Sequence, residues 1–383
     1  MRRKGGLGMS EWKKTSLRDL IVIKNGKDHK KLKNGQYPVY GSGGIMRYAD
    51  SYLYDQESVL LPRKGTLNNI QFVTEPFWTV DTCYYTVVNR DKVLPYFLYC
   101  CLCKMDIQSL NTGSAVPSMT FEKYYSIEVP IPPLSTQHRI ANILSRYDSL
   151  IENYQKQIKL LEEAAQRLYK EWFVDLRFPG HENTKIVDGL PEGWERKKVG
   201  EIGTVITGKT PSTSNKENYG GSIPFITIPD MHTGIYPVSS VFLSEKGAES
   251  QSKKYIPQGA LIVSCIGTAG LVCITKERCQ TNQQINSLIL DDKEMLHYMY
   301  FVFLSLKEHL NNIGSNGATM TNVNKSKFEG IDIVVPSSCI IRDFSQRTTP
   351  YFENILSLQS QLRLLAEARD RLLPKLMSGE ITV

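Results

Sequence analysis

The stretch Gly203-Thr-Val-Ile-Thr-Gly208-Lys209-Thr210 matches the phosphate-cradling pattern GxxxxGK[ST] letter for letter. That chemistry needs a flexible loop between a buried strand and the start of a helix. Here Thr-Val-Ile-Thr itself reads as the strand, and Pro211-Ser-Thr-Ser-Asn215 as a loop. A stand-alone P-loop nucleotidase is therefore only the lesser alternative, and an ATP-binding assay discriminates it. The six histidines (His29, His138, His181, His232, His297, His309) lack metal-ligand spacing and a partner nucleophile, so they read as surface or satisfied core residues. No Asn-Pro-Pro-Tyr or Asp-Pro-Pro-Tyr run occurs, which speaks against an adenine methyltransferase, and no nuclease-like carboxylate pair with lysine follows a strand. No catalytic or metal-binding residue is expected on the chain.

The positive chemical signal is a set of polar, Gly-rich loops. In the first half these hold Gly26-Lys27, Gly41-Ser42-Gly-Gly44 with Arg47, Arg63-Lys64-Gly65-Thr66-Leu-Asn68, and Asn111-Thr112-Gly-Ser114. In the second half they hold Gly208-Lys209-Thr210, Gly267-Thr268, Asn282-Gln283-Gln284, and Asn316-Gly-Ala-Thr319 with Lys325 and Lys327. Arg reads guanine and Asn or Gln reads adenine through bidentate major-groove bonds, while Lys, Ser, Thr and backbone N–H groups hold phosphates. Double-stranded DNA is the partner such loops fit. Each loop alone is more often a solvated turn, so the signal is collective.

Two long helices must position these loops. From residue 140, alternating steps of four and three give Ile140, Leu144, Tyr147, Ile151, Tyr154, Ile158, Leu161, Ala165, Leu168 and Trp172, all apolar or aromatic. This is a coiled-coil seam, with Ser135 as the expected N-cap and Phe178-Pro179-Gly180 as the stop. A seam of about forty residues at ~1.5 Å each makes a rod of roughly 60 Å. Moving 204 residues along gives Phe344, Thr348, Tyr351, Ile355, Leu358, Leu362, Leu365, Arg369, Leu372 and Leu376, where only Thr348 and Arg369 interrupt the seam.

The globular segments repeat as well. Trp12, Gly26 and Lys27 match Trp194, Gly208 and Lys209 at an offset of 182; Gly65-Thr66 matches Gly267-Thr268 at 202; Ile127 matches Ile331 at 204. The repeat also disposes of the phosphate-loop pattern, because Gly203 and Thr210 correspond to Ile21 and Asp28. What both copies keep is Gly-Lys after a strand. The second copy has a net 22 extra residues, the growth of the offset from 182 to 204, entering mostly before Pro224 and between the positions of Gly43 and Gly65. Scaffold residues recur while loops differ, as expected of two copies facing two different targets.

Short β-branched and aromatic runs between turn clusters predict strands at residues 21–23, 37–40, 58–61 and 84–88, with a helix over 95–110. The expected fold is mixed α/β: two strand-rich recognition domains separated by two long helices that pair as an antiparallel, pseudo-twofold coiled coil. The boundaries read 1–9 as an extension (with Met1 or Met9 as the start), 10–134 as domain one, 135–180 as spacer helix one, 181–337 as domain two and 338–383 as spacer helix two. The net charge of +7 is a modest basic excess compatible with a polyanion. The eight cysteines read as reduced thiols packed in cores, which suggests a cytoplasmic protein. No run of eighteen apolar residues predicts a membrane span.

The chain resembles the specificity subunits of type I restriction–modification systems. The resemblance rests on Pro191-Glu-Gly-Trp194, Ile131-Pro-Pro-Leu-Ser-Thr-Gln-His-Arg-Ile140, Leu168-Tyr-Lys-Glu-Trp-Phe173 and Leu373-Pro-Lys-Leu-Met-Ser-Gly-Glu380. It implies a non-catalytic DNA-recognition subunit that reads a bipartite asymmetric site, each domain taking one half and helix length setting the gap. It also implies two modification subunits holding S-adenosylmethionine and restriction subunits that use ATP and Mg, with no cofactor on this chain. A DNA-reading subunit of a different methyltransferase–nuclease assembly is the alternative within the same class. Half-sites about one helical turn apart, roughly 34 Å, fall on one face of the duplex.

Overall fold

Alternation such as Ile21-Val22-Ile23-Lys24, buried and exposed in turn, pleats the chain into strands with one covered face. The computed structural model describes residues 12–113, 116–314 and 322–383. They fall into two units, Met1–Ile151 with Leu364–Val383, and Glu152–Arg363.

The first unit runs β1 (Lys13–Ser16), β2 (Ile21–Lys24), β3 (Tyr37–Gly41), β4 (Gly44–Ala49), β5 (Ser58–Pro62), β6 (Gln71–Val73), β7 (Trp78–Thr79) and β8 (Cys83–Val88). Helices α1 (Pro95–Cys103) and α2 (Phe121–Tyr125), strand β9 (Glu128–Ile131) and helix α3 (Leu134–Tyr169) follow. β1 pairs with β9, a four-stranded sheet has the order β2-β8-β5-β6, and a three-stranded sheet has the order β4-β3-β7. All five residues of β5 are buried, as a central strand requires.

The second unit runs β10 (Ile186–Val187), β11 (Leu190–Pro191), β12 (Glu195–Lys198), β13 (Gly203–Thr207), β14 (Tyr219–Ile226) and β15 (Val241–Leu243). Helix α4 (Glu245–Glu249) precedes β16 (Leu261–Ser264), β17 (Val272–Ile274), β18 (Gln280–Thr281) and β19 (Ile285–Leu290). Then come α5 (Leu296–Ser305), α6 (Lys307–Gly314), α7 (Lys325–Glu329), β20 (Asp332–Val335) and α8 (Ser338–Met377). Besides the two-stranded β10-β11, its sheets are β12-β20, β13-β19-β16-β17 and β15-β14-β18, which repeat the orders of the first unit strand for strand. Even the parallel pairing recurs, β3 with β7 and β14 with β18. Thr120 and Asn324 cap α2 and α7 in the same way, each accepting the N–H three residues on. The extra residues of the second copy enter at a bulge in β14, in the connection from β14 to β15, and at α4.

The predicted strands all form. The predicted helix over 95–110 is divided, because Asp106 caps a separate 3₁₀ turn at Ile107–Leu110. Ser135 is not the N-cap: α3 already begins at Leu134, and the Pro133 carbonyl accepts the N–H groups of Thr136 and Gln137. The α-helix also ends before the expected stop. Lys170–Val174 forms a π-helical turn, and Leu176 (φ 56°) and Gly180 (φ 85°) complete the break.

Every residue of the α3 seam is buried or half-buried, whereas Leu150 and Leu160 beside it are exposed. In the first unit Ile140 and Leu144 share a core with Leu372, Leu376 and Met377 from the end of α8. In the second, Leu161, Ala165 and Leu168 share a core with Phe344, Tyr351, Phe352 and Ile355 from its start. The helices thus pair in opposite directions within each unit. Both seam interruptions have partners. Arg369 Nη1 donates to Asp148 at 2.8 Å, and buried Thr348 donates to the Phe344 carbonyl at 2.8 Å while its hydroxyl meets His297 Nδ1 at 3.0 Å.

Six of the eight cysteines are buried and all eight are free; Cys103 and Cys339 are exposed, so the reading of uniformly packed thiols needs correcting at those two. Cys100 and Cys103 also stand one helical turn apart on α1 in Cys-x-x-Cys spacing. Among the described residues, no helix is long and apolar enough to cross a membrane.

His297 lies 8% exposed with its ring stacked 4.0 Å from that of Phe352. Burial pushes its imidazole from the ordinary 6.5 down to about 4. The unfolded chain therefore binds the proton more readily, and the stability His297 permits is complete above pH 6.5 and falls as pH drops toward 4. Between pH 6.5 and 5 the second unit should lose roughly 2 kcal/mol more than the His297→Phe variant. Urea unfolding followed by tryptophan fluorescence at both pH values checks this; identical pH dependence of the two proteins contradicts it.

Candidate nucleic-acid interface

In each unit the polar loops meet around one short crossing segment, of which the sequence reading singled out only the second copy, Asn282-Gln283-Gln284. In the first it is residues 79–82 (Thr-Val-Asp-Thr), in the second 281–284 (Thr-Asn-Gln-Gln), again 202 apart. Two backbone hydrogen bonds tie the loops to it in the same way, and a third links the loops to each other. The Lys27 N–H donates to the Thr79 carbonyl at 2.8 Å, and Lys209 N–H to Thr281 at 3.0 Å. The Arg63 N–H donates to Thr82 at 2.8 Å, and Cys265 N–H to Gln284 at 2.8 Å. Met119 N–H donates to the Arg63 carbonyl at 2.9 Å, and Val323 N–H to Cys265 at 2.9 Å. The signal was present as a Thr four residues before the strand β8 or β19, but it becomes visible only once the repeat is aligned.

The shared Gly-Lys now has a physical reason. A Cβ on Gly26 would stand 2.0 Å from the Val80 oxygen, and one on Gly208 would stand 2.1 Å from the Asn282 oxygen. Glycine lets the turn close onto the crossing, and the following lysine projects exposed. Gly203 through Thr207 form β13, paired with β19, so a strand occupies the place of the flexible loop that a phosphate cradle needs.

The remaining loops join this face. Ser42 accepts from Asn69 Nδ2 through its carbonyl at 2.8 Å, and its hydroxyl lies 3.1 Å from where a Cβ of Gly65 would be. Gly65 N–H donates to Pro117 at 2.9 Å, and Lys64 bridges to Ser118. Lys64 and Thr66 are exposed; half-buried Arg63 holds its guanidinium 5.8 Å from the Tyr84 ring and 3.4 Å from the Asp81 carbonyl. In the second unit Thr210 Oγ1 donates to exposed Gln283 at 2.5 Å, and Thr268 is exposed beside Gly267.

Other candidates use side-chain atoms within the protein itself, several of them while staying exposed. Arg47 Nη2 donates to the carbonyls of Leu32 (2.7 Å) and Lys33 (3.1 Å). Asn68 accepts from the Gln108 N–H at 2.8 Å and donates to Asp106 at 3.3 Å. Asn111 folds its own loop, accepting from Gly113 and Ser118 N–H groups at 2.8 and 2.7 Å, and Thr112 Oγ1 donates to the Ser118 carbonyl. Asn282 bonds Gln284 through both side-chain atoms, and Gln284 Nε2 points 3.5 Å from the Ile266 carbonyl. Lys327 Nζ donates to the Ile313 carbonyl at 2.8 Å, and Lys325 pairs with Glu329 at 3.4 Å. Ser114, Asn316 and Thr319 lie outside the described residues. Among the described residues, no cluster of His, Cys, Asp and Glu has the makings of a metal site.

A family model described as type I restriction modification DNA specificity domain matches residues 9–163 and 191–342, one match for each repeat. The HindI type I restriction enzyme specificity subunit of Haemophilus influenzae is 34% identical over 364 residues, covering 76% of this chain and 79% of that protein. The MjaIX specificity subunit of Methanocaldococcus jannaschii is 28% identical, covering 86% of this chain and 79% of that protein. Among solved structures, a type I restriction–modification S subunit from M. genitalium covers 98% of both chains at a TM-score of 0.69 and 16% identity, a likeness of fold.

Gly208→Ala should destabilise the second unit by about 1–3 kcal/mol, because the crossing backbone has to move away from the new methyl group. Lys209→Ala, one residue on but exposed, should stay within about 0.5 kcal/mol of the parent. Thermal unfolding of the two variants checks the contrast, and equal stabilities contradict the close-approach account.

Proposed function

The chain belongs to the type I restriction–modification DNA specificity family, and from that premise we propose how it reads its target. It is a DNA-recognition subunit without catalytic function, and it works within an assembly of methyltransferase and restriction subunits on DNA. In our reading the target is bipartite and asymmetric, and each repeat takes one half.

The observation that carries this reading is the doubled loop face. Identical backbone hydrogen bonds hold the two crossings, while the side chains they present differ: Ser42, Arg63, Lys64 and Thr66 in one repeat, Thr210, Thr268 and Gln283 in the other. One scaffold with two sets of exposed or half-buried donors suits two unrelated half-sites. Lys27, Lys64 and Lys209 are assigned to phosphates, where a flexible ammonium group serves as a point charge. Arg63 is assigned to a base edge, since its guanidinium is steadied by the Tyr84 ring and retains donors for a bidentate contact.

The lengths of α3 and α8 set the gap between half-sites in this account. Two modification subunits with S-adenosylmethionine complete the assembly, the restriction subunits use ATP and Mg, and the site of action is the cytoplasm.

Deleting or inserting four residues between Gln155 and Gln166 in α3 changes the rod by roughly 6 Å at ~1.5 Å per residue. The methylated motif of DNA from cells carrying the variant should keep both half-sites and change only its gap. A change inside either half-site with the gap intact overturns the spacer assignment.

A further inference from the structure

Residues 24–33 of the first repeat, Lys24-Asn-Gly-Lys27-Asp-His-Lys30-Lys31-Leu-Lys33, hold five lysines and one carboxylate. All five lysines are exposed, and among the described residues none forms an ion pair within 4.0 Å. The one carboxylate, Asp28, accepts the Lys30 backbone N–H at 3.0 Å. Five ammonium groups so close in sequence repel one another, and a free loop would spread to relieve that.

This loop is fixed instead. Lys27 is held on both sides of its peptide, donating to Thr79 at 2.8 Å and accepting from Trp78 Nε1 at 2.9 Å. The Lys33 backbone N–H donates to the Asp50 carboxylate at 3.2 Å, and Asp50 N–H donates back to the Lys33 carbonyl at 3.1 Å. Between them half-buried Leu32 packs against Val39, Ala49 and Val80. Arg47 binds the carbonyls of Leu32 and Lys33 from β4, so a cation is placed under a cationic loop. Such an arrangement is electrostatically unfavourable for the protein alone and favourable once a polyanion lies across it.

Position selects which polyanion. The loop's anchor, Thr79, lies three residues from Thr82, which holds the Arg63–Lys64 turn. The second repeat lacks the feature: its matching residues 206–215 contain Lys209 alone. The asymmetry extends to the whole repeats, with 15 Lys and Arg against 11 Asp and Glu over residues 12–134, and 14 against 14 over 189–337.

We propose that residues 24–33 form a phosphate clamp on the DNA backbone flanking the first half-site, with Arg47 as its positioning residue and no counterpart in the second repeat. The clamp rests on the DNA-recognition reading given above. It makes the first half-site the main source of salt-dependent affinity, while the second depends more on its base contacts.

The test uses the complex reconstituted with its modification subunits. A variant with Lys24, Lys27, Lys30, Lys31 and Lys33 all changed to Gln is titrated with the cognate duplex, a duplex with the first half-site scrambled, and an unrelated duplex at several salt concentrations. Each phosphate contact contributes ~0.9 to the slope of log affinity against log salt, so the slope should become shallower by about two to four. Affinity should fall at least ~10-fold, equally on all three duplexes, and the methylated motif should stay the same. Separate variants of the Lys24/Lys27 and Lys30/Lys31/Lys33 groups should divide the effect between them. Arg47→Met keeps the five lysines and should weaken binding on every duplex while leaving the slope within about one unit of the parent. An unchanged slope in the five-lysine variant overturns the clamp, as does a loss confined to the cognate duplex. Relaxed reading of one base by Arg47→Met removes its positioning role. If the unmodified complex prefers no bipartite duplex, it is the DNA-recognition reading that fails, a result distinct from a discriminating complex whose variant keeps its slope.

Discussion

The apolar seam is the constraint on which the rest depends, because each long helix supplies residues to two different cores. Ile140 and Leu144 enter the first core, Ala165 and Leu168 the second, along a single α3. Burying a large apolar side chain contributes about 1.5–3 kcal/mol, so a slip in register would remove contacts from both cores. The two polar seam positions add directionality. Arg369 finds half-buried Asp148, and buried Thr348 finds His297, pairings that a helix shifted by one residue would break.

On this frame the doubled loop face is tied to its crossing segment by backbone hydrogen bonds. The Gly26 and Gly208 turns, the Arg63 and Cys265 strand ends and the Met119 and Val323 returns all bond to main-chain carbonyls. Backbone bonds do not depend on residue identity, so exposed side chains can change without disturbing the scaffold. That physical separation is what a specificity subunit needs. Some polar side chains also shape the loops directly: Asn68, Asn111 and Asn282 each bond backbone N–H groups beside outward-facing neighbours.

Periodicity and self-similarity made the architecture legible. The steps of three and four from Ile140 and the recurring Gly-Lys and Gly-Thr pairs anticipated both helices and both globular repeats, and the sheet orders then coincided strand for strand. The same self-comparison exposed the phosphate-loop pattern as a strand. Local chemistry was less legible where partners are distant in sequence. Nothing near Arg47 shows that its guanidinium reaches Leu32 and Lys33, and nothing near Asn68 points to Gln108 forty residues away. The π-helical turn after Tyr169 likewise arises from packing, as Trp172 and Phe173 seat against Phe344. The lysine density of residues 24–33 was in plain view but gained meaning only with the hydrogen bonds that fix its backbone.

The central claim is that each repeat reads its own half of the target from its own core and its own loops. Replacing residues 189–337 with the matching segment of a relative, then mapping methylation across the DNA of cells carrying the hybrid, tests it most directly. The account predicts a motif with one half-site changed and the other half-site kept. A motif in which both half-sites change together would contradict it.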